Sequence, residues 1–206
     1  MLKIYLVRHG QDEDNRDGVL NGYRDTALTP LGLEQARQLA LYIKNSQLTF
    51  DYVYSSPLKR AYDTARTITL ALELPDPEIF PELIERDFGV MTGRRKEDIE
   101  KMCAPDIIKA EEISYFLNPI GGETFPELYD RAQRVLSSIE EKYSDGNILL
   151  VSHGDLCKMI YAVYHHLTWQ EVLPLFHFGN AELILLSPDK ANFSEAELFD
   201  ARQYNN

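Results

Sequence analysis

The chain has 206 residues, 44% hydrophobic and 26% charged, which fits one globular domain able to bury a substantial core without disulfides. A formal charge of −12, with no long Lys/Arg run to offset it, argues against a nucleic-acid partner, and no apolar run approaches the roughly 20 residues of a membrane span. The apolar start Leu2-Lys3-Ile4-Tyr5-Leu6-Val7 is too short for a secretory signal and lacks a small-residue cleavage site, so the expected compartment is the cytoplasm. Cys103 and Cys157 stand far apart without metal-ligand spacing and read as small buried hydrophobes.

Leu2 to Val7 reads as a strand, and Arg8-His9-Gly10 then opens a polar, Gly-containing loop up to Ala27. Thr29-Pro30 is an N-cap with proline at the first helical position, and Ala36, Leu39, Ala40 and Ile43 recur at helical spacing. Asp51 to Tyr54 gives a second strand and Ser55-Ser56-Pro57 a helix start. Leu58, Ala61, Ala65, Ile68 and Leu72 form the buried stripe of that helix, with Arg60 in its first turn.

From Gly89 to Gly122 the pattern loosens into short helical pieces around Pro105 and Pro119. This reads as an insertion near the site, at about residues 90–122, and not as a second domain. Thr124-Phe125-Pro126-Glu127 is a capping box that opens a helix to about Glu141. Asn147 to Val151 is an apolar strand of the kind buried on both faces, ending in Ser152-His153-Gly154-Asp155, and Glu182 to Leu186 is a last strand. Alternating strands and helices predict an α/β fold: a three-layer α/β/α sandwich around a mostly parallel, doubly wound sheet. Whether the residues after Ser187 pack as an edge strand is left open.

In open α/β sheets ligands bind beyond the carboxyl ends of the strands, and the two expected central strands end in Arg8-His9-Gly10 and Ser152-His153-Gly154. A lone histidine after a strand is more often structural; two in matching contexts beside arginines point to chemistry. Phosphoryl transfer to nitrogen needs a neutral imidazole held in one tautomer, with positive groups around the nonbridging oxygens. Arg8 and Arg60 suit the second task, since guanidinium forks are permanently charged; the bland alternative for Arg60 is a surface ion pair with Asp63 or Asp51. The departing alkoxide needs a carboxylic acid of raised pKa. Glu85 is the candidate, although from its segment alone a solvated loop carboxylate is the commoner case.

The segments Leu6-Val7-Arg8-His9-Gly10, Ser56-Pro57-Leu58-Lys59-Arg60-Ala61, Glu85-Arg86-Asp87-Phe88-Gly89 and Val151-Ser152-His153-Gly154 together resemble the histidine phosphatase, or phosphoglycerate mutase-like, superfamily, in order and spacing from residue 2 to about 186. The resemblance implies that His9 is the phosphorylated nucleophile, that Arg8, Arg60 and His153 form the phosphate pocket, and that Glu85 is the proton donor. It implies no metal and no other cofactor, and a small phosphorylated substrate. By the same resemblance Asn15, Asn21, Gly22, Gly154 and Asp155 line the substrate site.

Gln11 stands where many relatives carry glutamate, near the pocket. Cofactor-dependent mutases usually carry a paired arginine in the insertion, which this chain lacks where expected, although Arg94-Arg95-Lys96 could reach an anionic substrate. Phe88 replaces the tyrosine usual in mutases, and Gly121-Gly122-Glu123-Thr124 resembles phosphatase relatives. The sequence reading is therefore a phosphate-monoester hydrolase, with a phosphoglycerate mutase as the alternative and a non-catalytic phosphoester-binding module as the second. Substrate and oligomeric state, a homodimer included, stay open.

Overall fold

The computed structural model describes residues 1–110 and 113–186. In chain order these residues form β1 (Leu2–Arg8), α1 (Glu13–Asp17), α2 (Pro30–Asn45), β2 (Tyr52–Ser55), α3 (Lys59–Ala71) and β3 (Glu78–Ile79). There follow α4 (Ile99–Cys103), β4 (Ile107–Ala110), β5 (Ile113–Phe116), α5 (Phe125–Lys142), β6 (Gly146–Ser152), α6 (Gly154–Tyr164), α7 (Trp169–Val172) and β7 (Leu183–Leu186). The main sheet runs β3-β2-β6-β1-β7, parallel throughout except for β7, which pairs antiparallel with β1.

Period-two alternation along β1 and β6 divides the core into two layers. Ile4, Leu6, Ile148 and Leu150 pack with Leu128, Val135 and Ile139 of α5 and with Leu156, Met159 and Ile160 of α6. Tyr5, Val7, Leu149 and Val151 pack on the opposite face with Leu39 and Ile43 of α2 and with Ala61, Ala65 and Ile68 of α3. Helices on both faces of a mostly parallel sheet make the expected three-layer α/β/α architecture. Among the described residues no helix is long and apolar enough to cross a membrane. Cys157 is buried and Cys103 half-buried.

Thr29 caps α2, its hydroxyl accepting from Gly32 N at 3.0 Å, and Thr124 and Glu127 form the expected box at the start of α5. Three local expectations change. The loop after β1 contains the short helix α1, because the Asp12 carboxylate accepts from Asn15 N at 2.7 Å and caps it. Ser56 does not cap α3, whose N-cap is Leu58 without a side-chain bond. The segment read as short helical pieces also holds the β4–β5 hairpin, whose two apolar runs flank Glu111-Glu112 with no Gly or Asn to signal a turn.

The insertion leaves and rejoins the body at one point. Val90 N donates to Ile120 O at 3.0 Å and Glu123 N to Asp87 O at 2.8 Å. Gly89 and Gly122 meet there so closely that a Cβ on Gly89 would lie 2.3 Å from Ile120 O, and one on Gly122 2.6 Å from Asp87 O.

Candidate active site

Parallel pairing of β1 with β6 sets Arg8 opposite Ser152, so His9 and His153 emerge side by side where the strands end. His9 N donates to Ser152 O at 3.0 Å, and the two imidazole centres lie 5.1 Å apart. His9 Nδ1 donates to Gly10 O at 2.7 Å, which leaves Nε2 without a proton, and Arg60 Nε donates to that nitrogen at 3.2 Å. Burial first, then the charges of Arg60 and Arg8, hold the His9 pKa well below its usual value, so the ring is neutral at neutral pH.

Arg60, fully buried on the first turn of α3, donates to Arg24 O at 2.6 Å and to Gly22 O at 2.9 Å, and its Nε lies 3.2 Å from the buried Asp12 carboxylate. A surface pair with Asp63 or Asp51 is thereby overturned; Asp51 instead accepts from Asn147 N at 2.7 Å. Asp12 also accepts from Asn21 Nδ2 at 2.6 Å, so it anchors both Arg60 and the Asn21-Gly22 turn. Arg8 donates from Nη1 to Phe178 O at 2.6 Å, while its buried Nε has no partner among the described residues.

Ser56 supplies a relay to the second histidine. Its hydroxyl oxygen accepts from Leu58 N at 3.2 Å and lies 2.7 Å from His153 Nε2. The hydroxyl hydrogen has no other acceptor among the described residues and is assigned to Nε2, which puts the proton of the neutral His153 ring on Nδ1, a buried atom with no partner among the described residues. Two orphaned donors, Arg8 Nε and His153 Nδ1, thus belong to the residues around His9, the pattern expected of a wall built for an anion.

Glu85 is no solvated loop carboxylate. It is 5% exposed, and its carboxylate accepts from Arg86 N at 2.8 Å. Burial, then the charge of Asp155, push its pKa up to about 7, against Arg86 N, Arg60 and Arg8. Its loop is clamped by Arg131 of α5, which donates to Glu82 O at 2.7 Å, Ile84 O at 2.6 Å and Glu85 O at 3.1 Å, and pairs with Glu123 at 2.6 Å. Arg86 bonds Asp155 at 2.9 Å and Phe116 O at 3.0 Å, with its guanidinium 4.1 Å from the Phe125 ring centre.

A cavity of about 240 Å³ opens on this cluster. Arg8, Asn15, Asn21, Glu85, Gly154 and Asp155 line it; His9, Arg60 and His153 lie too deep to do so, and Gly22 contributes through its carbonyl on Arg60. Asn15 is held by Asn180, whose amide also donates to His9 O at 3.0 Å. Of the basic triplet, Lys96 lines the cavity while Arg95 pairs with Glu97 at 3.0 Å on the surface. Gln11 is not on the wall: its side chain accepts from the Thr29 hydroxyl at 2.9 Å.

Asp12, Ser56, Arg131 and Asn180 escaped the sequence reading. Ser56 lies within the Ser55-Ser56-Pro57 start signal and Asp12 caps α1 locally, but the contacts through which all four reach the site are tertiary and no local pattern announces them.

The histidine phosphatase superfamily (branch 1) matches the chain over residues 4–201. The chain is 31% identical to a 2,3-bisphosphoglycerate-dependent phosphoglycerate mutase of Parvibaculum lavamentivorans, over 97% of each chain. It is 33% identical to the adenosylcobalamin/alpha-ribazole phosphatase of Escherichia coli, over 78% of each. Its fold is similar to that of a mycobacterial glucosyl-3-phosphoglycerate phosphatase solved with VO3, with a TM-score of 0.76 and 26% identity, covering 90% of this chain and 92% of that one. With that match spanning nearly its whole length, the chain belongs to the histidine phosphatase superfamily of enzymes.

Proposed function

We propose that this protein hydrolyses a small phosphate monoester through a phosphohistidine on Nε2 of His9. The observation that carries the reading is the unprotonated, buried Nε2 beside Arg60, in one site with a carboxyl group whose pKa is near 7. Nε2 attacks phosphorus, the N–P bond forms as the ester P–O bond breaks, and protonated Glu85 gives its proton to the departing alkoxide. Glu85, now a carboxylate, takes a proton from water as that water attacks phosphorus and the P–N bond breaks. Arg8, Arg60 and His153 hold the nonbridging oxygens, where charge accumulates. Asn15, Asn21, Gly154 and Asp155 shape the remainder of the cavity, and Gly22 holds Arg60.

On this reading the chain is one catalytic domain with residues 90–122 covering its site, works without metal, and meets its substrate in the cytoplasm, where phosphorylated metabolites are kept. Hydrolysis is favoured over return of the group by residues in and beside the insertion: Phe88 presents a ring without a hydroxyl, set edge-on to Phe116, and Arg95 is spent on Glu97. The mutase alternative keeps one support, the likeness to a phosphoglycerate mutase along almost the full chain.

Phosphorus NMR with EDTA and a panel of monoesters including 3-phosphoglycerate, run beside His9→Ala, tests the reading. His9-dependent free phosphate is expected. Phosphate migrating to the 2-position makes the protein a mutase, and silence across the panel favours a binding module.

A further inference from the structure

The cavity wall carries more positive charge than one phosphoryl group needs. Arg8, Arg86, Lys96 and Lys158 line it against two carboxylic side chains, Glu85 and Asp155, and Asp155 is neutralised by Arg86 at 2.9 Å. Lys158 is the unusual member. It sits on α6, one turn after Asp155, and is 2% exposed. Its ammonium donates to Leu173 O at 2.6 Å, Tyr115 Oη at 2.8 Å and Val172 O at 3.5 Å, so every partner is neutral. A buried cation with only neutral hydrogen-bond partners, and with Asp155 already paired to Arg86, is costly and calls for an anion from elsewhere. Burial pulls its pKa down to about 8, with Asp155 opposing and Arg8 adding to the fall.

Tyr115, from the hairpin strand β5, completes the arrangement. It is 6% exposed and lines the cavity. Its oxygen accepts from Lys158, which polarises the phenol, and its own hydrogen finds no acceptor among the described residues. The wall therefore offers one strengthened O–H donor backed by one full positive charge. That set matches a carboxylate, which carries a single charge. A second phosphate dianion would demand several free donors, and those of Lys158 are already occupied.

We propose that Tyr115 and Lys158 form a recognition site for a carboxylate on the alcohol portion of the substrate. This rests on the hydrolase reading above, which supplies the phosphoryl end, and it gives the β4–β5 hairpin a role in choosing the leaving group. Lys158 acts through Tyr115 and through its field, so Tyr115 is the contact and Lys158 the residue that charges it.

The test compares 3-phosphoglycerate with glycerol 3-phosphate, which differ in a carboxylate for a hydroxymethyl group. Both are titrated calorimetrically into the His9→Ala protein, which stops turnover, and into the same protein carrying Tyr115→Phe or Lys158→Met. Tyr115→Phe deletes one oxygen and leaves the packing, so it reads the site even if Lys158→Met folds poorly. The expected result is at least tenfold tighter binding of 3-phosphoglycerate, falling to within about threefold of glycerol 3-phosphate in Tyr115→Phe. A ratio near one in the parent, or a ratio that survives both substitutions, overturns the proposal. Phosphate release by the unsubstituted enzyme judges the hydrolase reading separately.

Discussion

His153 stands 5.1 Å from His9, ring centre to ring centre, because Arg8 and Ser152 are register partners in adjacent parallel strands. A slip of one residue would send one imidazole into the opposite helical layer, since side chains alternate across a sheet. The spacing of the two histidines is thus fixed by the same alternation that sorts Leu6 and Leu150 from Val7 and Val151.

Ser56 sets which nitrogen of His153 bears the proton. Ser56→Ala should let the ring take either tautomer and cost roughly tenfold or more in kcat, within the range for loss of one transition-state donor. Thermal stability should change by less than about 2 kcal/mol, as one buried hydroxyl is removed. Steady-state kinetics beside a melting curve checks this; unchanged kcat would remove the relay.

For an ester with a slow leaving group, kcat/KM should fall as pH rises through about 7, where Glu85 ionises. Glu85→Gln should abolish that limb and most of the rate, yet lose little with an activated phenol. The shift also acts on stability. The folded-state pKa is raised above the ordinary 4.5, so the stabilisation is fully present below about pH 4.5 and is lost as pH rises to about 7. Glu85→Gln should therefore melt higher than the parent at pH 8, by on the order of 2 to 3 kcal/mol, and differ little at pH 4.5.

Asp155 raises the Glu85 pKa through its negative charge. Asp155→Asn removes that charge and frees Arg86 from its ion pair, and both changes favour ionised Glu85. The alkaline limb should move to lower pH by about one unit. A pH profile of kcat/KM for the two proteins decides; an unmoved limb would separate Asp155 from the acid.

Arg60→Met should eliminate turnover and destabilise the fold by about 3 kcal/mol, because it leaves the buried Asp12 carboxylate without its ion-pair partner and the carbonyls of Gly22 and Arg24 without their donor. Adding Asp12→Asn should restore part of the melting temperature and none of the activity.

The layers, the two histidines and the arginine on the first turn of α3 were legible because each follows from a local pattern: an apolar strand, a cap or a helical stripe. The β4–β5 hairpin was not, although the short helical pieces before it were. Ile107 to Phe116 lacks the turn residues that mark hairpins, and its course is set by packing of Phe116 against Phe88 and Met91. Burial of Glu85 was invisible for a similar reason. A carboxylate in Glu85-Arg86-Asp87 looks solvated until Arg131, 46 residues later, is seen to grip its backbone.

The neck at Gly89 and Gly122 separates two kinds of information. The two histidines and Arg60 stand at the sheet ends and on α3, whereas Phe88, Lys96 and Tyr115, which line the cavity, lie beside or beyond a junction no wider than two glycines. The insertion's further backbone ties, Gly93 N to Leu20 O at 2.7 Å and Lys96 N to Gly18 O at 2.9 Å, reach the loop after β1 and not the sheet, so with that loop matched the segment can be exchanged without disturbing the strands beneath it. Relatives sharing one reaction can thus part company over substrate by rewriting some thirty residues, and grafting 90–121 between two of them would carry selectivity across while leaving the nucleophile in place.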